Sequence, residues 1–144
     1  LMENSRDAIL VVDPGGRILE AFGAREAGWP YEELAGLPAF GLVHPDDREH
    51  AAARFARHVA DPGLRGTFDA ELRIRRRDGG WMHCVAAASN HVADAAIRGI
   101  VVCLRDVTEQ RRAEERLRRA ERRFDAALWS ADLGLWELAP AVDD

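Results

Sequence analysis

The feature that most constrains this fold is a change of period at residues 106–109. Upstream, Ile100-Val101-Val102-Cys103-Leu104 is an unbroken apolar run rich in β-branched residues, the pattern of a strand buried on both faces. Downstream, from Gln110 to Phe124, the apolar residues recur at helical spacing among charges. Between the two stands Asp106-Val107-Thr108-Glu109. Asp106 is placed to accept a backbone N–H at the start of the helix, and Glu109 to reach back as in a capping box. The pattern predicts a rigid strand feeding straight into a long helix with no linker, so that a shift in the sheet moves the helix.

The 144 residues, 47% of them hydrophobic, suit one modest domain with an appendage. No apolar run approaches the roughly 20 residues needed to cross a bilayer, and no signal peptide is visible, so the expected compartment is the cytoplasm, without membrane contact by this segment. Leu1-Met2-Glu3-Asn4-Ser5 opens in mid-pattern, which reads as an excerpt of a longer chain. Cys84 and Cys103 fall in expected strands and read as buried thiols, not a disulfide framework. The net charge of −5 is unevenly spread: residues 105–123 carry eight arginines against five acids. Glu114 with Arg118 and Glu115 with Arg119 sit one helical turn apart, which explains the charges as a solvated helix face. No aromatic interleaving accompanies them, so nucleic acid is not an expected partner.

Along the chain, residues 8–13 and 17–22 form a hairpin across Asp13-Pro14-Gly15-Gly16. Helical turns follow over about 24–36, with Pro30 in a first turn and Gly36 as terminator. A helix runs from Pro45 to about Ala60, with Asp46 and Asp47 favouring its dipole. Three strands, about 67–76, 81–92 and 97–105, complete the pattern. The first places Phe68, Ala70, Leu72 and Ile74 on one face and Asp69, Glu71, Arg73 and Arg75 on the other. This order defines an α+β fold, a five-stranded antiparallel sheet with helices on one face, followed by a long C-terminal helix.

Five segments, in order, resemble PAS sensory domains: Asp7-Ala8-Ile9-Leu10-Val11-Val12-Asp13 with Gly15-Gly16-Arg17-Ile18, then Gly28-Trp29-Pro30-Tyr31-Glu32-Glu33-Leu34-Ala35-Gly36, then Val43-His44-Pro45-Asp46-Asp47-Arg48, Arg77-Asp78-Gly79-Gly80-Trp81, and Arg105-Asp106-Val107-Thr108-Glu109. Trp29 stands where the family usually has tyrosine. The resemblance implies a PAS domain over 1–107, a signalling helix or coiled-coil linker over 108–130, and over 131–144 the truncated start of a second PAS domain. The last rests on Phe124 to Leu138, a weak echo of Glu3 to Val12, with Ser130 and Asp132 matching Ser5 and Asp7.

In such domains the helices and the inner sheet face frame a pocket. Candidate lining residues are Phe55 and Val59 on the helix and Cys84, Ala86, Ala88 and Asn90 on strand 81–92, with Asn90 the first choice for a polar contact. The small residues serve equally well for close helix–sheet packing. The expected core stripe of the helix is Ala52, Phe55, Ala56 and Val59, with His50 solvated opposite and His58 at its border, partly exposed. Some PAS domains hold haem through a histidine on this helix, which makes His58 the one plausible ligand if haem is bound; no cofactor is otherwise expected. His44 reads as a cap of the helix opening. The flavin photochemistry of LOV domains needs an Asn-Cys-Arg-Phe-type motif on a helix, and neither cysteine lies on one. No catalytic or metal-binding motif is present, so the chain is not expected to be an enzyme by itself.

Ala113, Leu117, Ala120 and Phe124, continued by Ala127 and Ala131, alternate four and three apart, an a/d heptad seam. Such a seam serves either a second copy or the domain's own sheet. Strand 97–105 is apolar on both faces, and its Val101/Cys103 side also needs a cover, so a parallel homodimer is expected. The functional expectation is a sensory module of a bacterial signalling protein. It relays ligand or partner state through Asp106, Thr108 and Glu109 to a downstream output domain, foremost a histidine kinase of a two-component system or else a cyclic-di-nucleotide enzyme. A ligand-free dimerisation spacer and a haem-based gas or redox sensor are the alternatives.

Overall fold

The computed structural model describes residues 7–23, 28–67 and 71–142, with the side chains of 65–67 and 132–142 left aside. The chain divides into two compact units, Leu1–Thr108 and Glu109–Asp144. In the first, the alternating runs form strands β1 (Asp7–Val12), β2 (Ile18–Phe22), β3 (Arg65–Thr67), β4 (Leu72–Arg75), β5 (Trp81–His91) and β6 (Gly99–Asp106). Between them come α1 (Tyr31–Leu34), a 3-10 turn at Ala39–Leu42 and α2 (Pro45–Ala60). The antiparallel order is β2-β1-β6-β5, with β3 and β4 both paired to β5 at the far edge, so the sheet is five strands wide. The strand expected over 67–76 is thus two pieces on one edge. Phe68, Asp69 and Ala70 of its pattern lie outside the described residues.

β1 runs beside both β2 and β6: Leu10 pairs with Ala21 on one side and Val102 on the other. The hairpin between β1 and β2 closes as the sequence predicts. Asp13 accepts from Gly16 N–H through its carbonyl (2.9 Å) and from Arg17 N–H through its carboxylate (2.9 Å). Gly16 has φ +92°, and a Cβ there would lie 3.3 Å from the Phe40 ring. Of the helical turns expected over about 24–36, the described residues 28–36 hold α1, and residues 24–27 lie outside the described set.

The core lies between the sheet's inner face and α2. β5 contributes Met82, Cys84, Ala86 and Ala88, and their small volumes let the helix approach closely. The buried face of α2 is Ala51, Phe55 and His58, not the expected Ala52/Phe55/Ala56/Val59 stripe; Ala56 is exposed and Ala52 and Val59 are half-buried. The physical reason is the run Ala51-Ala52-Ala53, in which three equal side chains leave the apolar phase undetermined. His58, expected to be partly exposed, is therefore buried, while His50 is exposed as expected.

In the second unit the helical repeat holds without a break. α3 (Thr108–Val142) is 35 residues, roughly 50 Å at 1.5 Å per residue. It passes residue 130, where the linker was expected to end, and its backbone stays helical to Val142 through the segment read as the opening strand of a second domain.

Candidate functional site

β6 ends at Asp106 and α3 begins at Thr108, leaving one residue between sheet and helix. Regular pairing of β5 with β6 stops at Cys84 opposite Asp106. The next residue of β5, His83, is nevertheless satisfied on both backbone groups: its carbonyl accepts from Val107 N–H (2.8 Å), and its N–H donates to Thr108 Oγ1 (3.0 Å). Thr108 is buried, and its hydroxyl hydrogen goes to Asp106 Oδ1 (2.5 Å), which also accepts Thr108 N–H (2.9 Å). One hydroxyl thus replaces a strand carbonyl and begins a helix at the same time. The other oxygen of Asp106 lies 3.9 Å from the Arg76 guanidinium, with the carboxylate only 7% exposed. Sequence reasoning placed Asp106 and Thr108 here. Glu109, expected as the second half of a capping box, is exposed in the first turn, and Thr108 serves as the partner of Asp106 instead.

The start of α2 is tied to β4 by a second network. His44 Nδ1 accepts Asp46 N–H (3.1 Å), capping the helix, and the His44 ring tilts against Trp81 at 4.5 Å between centroids. Asp47 Oδ2 accepts both the backbone N–H (2.9 Å) and Nε (3.0 Å) of Arg73, and Oδ1 accepts Nη2 (3.0 Å). These charge-assisted hydrogen bonds hold the Asp47 carboxyl below its ordinary pKa and raise that of Arg73. The sequence assigns Asp46 and Asp47 only to the helix dipole; the fixed role of Asp47 at Arg73 spans 26 positions and leaves no local signal. Trp29 is anchored by Nε1 donating to the Arg75 carbonyl (2.9 Å), and Glu33 pairs with Arg77 at 2.5 Å.

Between sheet and α2 lies a cavity of about 50 Å³, lined by Leu10, Val12, Phe40, Val43, Ala51, Phe55 and further aliphatic residues. Phe40 meets Phe55 edge-on at 5.2 Å. Of the six candidate pocket residues only Phe55 lines it. Cys84, Ala86 and Ala88 are buried in helix–sheet packing, the alternative the sequence left open. Burial pushes the Cys84 thiol up to about 12. Cys103 is exposed on the opposite face, so the two thiols do not meet, and the expectation that both are buried fails for Cys103. Asn90 is engaged by the protein itself: Nδ2 donates to the carbonyls of His58 (3.0 Å) and Val59 (3.4 Å) at the end of α2, and Oδ1 accepts Val92 N–H (2.9 Å). It clamps a helix terminus to the β5–β6 turn. Val59 and Asn90 border an open groove there, with His91 and Val92.

Ligand pockets commonly measure about 300–1,000 Å³, so the inner cavity is far too small for haem or a flavin. His58 does not line it, and its Nδ1 lies 3.0 Å from the Arg54 carbonyl. The residues here do not fit haem. Among the described residues no group of His, Cys, Asp and Glu is arranged to hold a metal ion, and no helix is long and apolar enough to cross a membrane.

On the outer sheet face, Phe22, Ile9, Cys103 and Ala87 stand opposite one another across four strands, an apolar row. On α3 every side chain from Glu109 to Ala131 is exposed, Leu117 at 59% and Phe124 at 64% among them. The seam residues Ala113, Leu117, Ala120 and Phe124 share one stripe of that helix.

The first unit is thus a mixed α+β domain with an antiparallel sheet five strands wide, helices on one face, and a final strand that ends where α3 begins. A family model of the PAS fold matches residues 23–101. The chain belongs to the PAS family, whose members are sensory and signalling modules and generally not catalysts. The PAS domain of a protein from Colwellia psychrerythraea superposes with a TM-score of 0.60 at 26% identity, covering 72% of this chain and 87% of that one. The PAS-B domain of Drosophila melanogaster Cycle, solved with bound ethylene glycol, superposes at 0.58 with 14% identity, covering 69% and 96%; it shows likeness of fold alone. None of the curated proteins matches the chain.

Proposed function

We propose that this PAS module relays the state of its sheet through the Asp106–Thr108–His83 junction into α3, and so to an output domain of the same polypeptide. The observation that carries this reading is the Thr108 hydroxyl, which closes the β5–β6 ladder and starts the helix in one bonded group. A displacement of β5 at His83 must be followed by the first residue of α3 or break that bond. The homodimer and the cytoplasmic setting belong to this proposal, the first supported by the exposed heptad stripe. A histidine kinase of a two-component system is the output such a helix would suit. The test uses the full polypeptide that carries this segment. Thr108→Val is expected to change output activity in response to signal, and Thr108→Ser to retain it. Unchanged output in Thr108→Val overturns the relay.

A second reading, a ligand-free dimerisation spacer, is favoured by one observation: the inner cavity of about 50 Å³ is well below the usual size of a ligand pocket. Native mass spectrometry of the chain purified from cells separates the two. A co-purified small molecule in stoichiometric amount excludes the spacer.

A further inference from the structure

The charges flanking the seam carry more than the presence of a partner. With Leu117 and Phe124 as a positions and Ala113, Ala120 and Ala127 as d positions, the e positions are Glu114, Glu121 and Leu128. The g positions are Glu109, Arg116, Arg123 and Ser130. Arg116 and Arg123 are distinctive on α3. Each of its other arginines has an acid three or four residues away on the same helix, where intrahelical pairs form; Arg111 with Glu114, at 3.9 Å, is one. Arg116 is flanked at those spacings by Arg112, Ala113, Arg119 and Ala120, and Arg123 by Arg119, Ala120, Ala126 and Ala127. The two g-position arginines are the ones whose own helix offers no anion.

Resting on the homodimer proposed above, we infer that α3 pairs with α3 of a second copy in parallel and in register, and that the pairing is graded along its length. In a parallel coil, g of one helix faces e of the following heptad on the other, and these contacts set orientation. In register this places Arg116 of each copy opposite Glu121 of its partner, two attractive pairs per dimer. An antiparallel pair juxtaposes g with g and e with e, arginine with arginine and glutamate with glutamate. The pattern therefore selects the parallel arrangement. The same arithmetic sets Glu109 against Glu114, a like-charge contact, in the heptad nearest the sheet, where the seam holds only Gln110 and Ala113. One heptad further out, Leu117 and Ala120 combine with the Arg116–Glu121 pairs. Beyond that, Arg123 meets Leu128, over which its methylene stem can lie beside Phe124. The coil is open where it leaves the sheet and closed from Leu117 onward.

Cysteine cross-linking of the whole chain, in a Cys103→Ser background that leaves only the buried Cys84, reads orientation directly. Ala120→Cys and Ala127→Cys are each expected to form a disulfide with their own counterpart, and Ala113→Cys markedly more slowly. Arg116→Glu is expected to weaken the dimer about tenfold in sedimentation. Adding Glu121→Arg restores it to within a few-fold, and Glu114→Arg alone tightens it. Far-UV circular dichroism and the melting midpoint of the domain serve as checks that each variant is folded. A wild-type chain that is monomeric at tens of micromolar overturns the homodimer itself. A dimer that cross-links at only one of positions 120 and 127, or that tightens on Arg116→Glu, overturns the parallel register while leaving the homodimer standing. Equal cross-linking at 113, 120 and 127 overturns the grading.

Discussion

Thr108 Oγ1 lies 3.0 Å from the backbone nitrogen of His83, so the β5–β6 ladder ends on a side chain that already belongs to a helix. Thr108→Val keeps the shape and removes the acceptor, leaving a strand N–H without its partner. The expected loss is about 1–3 kcal/mol, read from denaturant unfolding, with faster amide exchange at His83. Thr108→Ser is expected to lose far less. Identical exchange at His83 in the valine variant would show that the hydroxyl is incidental.

Asp106→Ala removes the acceptor of both Thr108 donors and the carboxylate nearest Arg76. It is expected to cost on the order of 1 kcal/mol through the lost cap and to raise exchange in the first turn of α3. A wild-type melting midpoint and exchange pattern count against it.

The Asp47–Arg73 contact makes stability depend on acid in a definite direction. The folded carboxyl is held below its ordinary pKa, chiefly by the Arg73 guanidinium, so its stabilisation is complete above the usual carboxylate range. It is lost as pH falls through the lowered value. Melting midpoints of wild type and Asp47→Asn, followed from pH 7 downward, are expected to converge in acid. Curves that stay parallel exclude this pair as a source of acid sensitivity.

Asn90→Ala tests whether that side chain serves structure or ligand. Loss of its bonds to the His58 carbonyl and to Val92 N–H is expected to cost about 1–2 kcal/mol and to loosen the last turn of α2. An unchanged stability would return Asn90 to the list of ligand contacts.

The two thiols differ in kind. Cys103 is expected to react at once with an aqueous thiol reagent, and Cys84, buried and with its pKa raised to about 12, only on unfolding. Equal rates in the folded protein would contradict the packing of β5 against α2. The protein is further expected to be colourless; a Soret band abolished by His58→Ala would reverse the argument from cavity size.

The elements were legible wherever a local pattern carried them: the β6-to-α3 junction, the Asp13-to-Gly16 turn and the opening of α2 at His44 each announce themselves within a few residues. What was not legible depended on phase or distance. Three consecutive alanines hid which face of α2 is buried, and that single uncertainty misplaced His58. Asn90 looked like a pocket residue because nothing local reveals that the α2 carbonyls end beside it. The pocket was inferred from small residues on β5, which in the fold admit the helix and leave the cavity to Phe55 and its aliphatic neighbours.

The unbroken backbone of α3 has a consequence for anything attached beyond it. A helix converts length into angle: each inserted residue turns all that follows by about 100° and advances it by about 1.5 Å. A foreign domain spliced onto this helix would therefore inherit a bearing as well as a spacing. Grafts differing by whole heptads keep the azimuth to within about 20°, and those differing by two residues, a turn of about 200°, point the cargo to the opposite side.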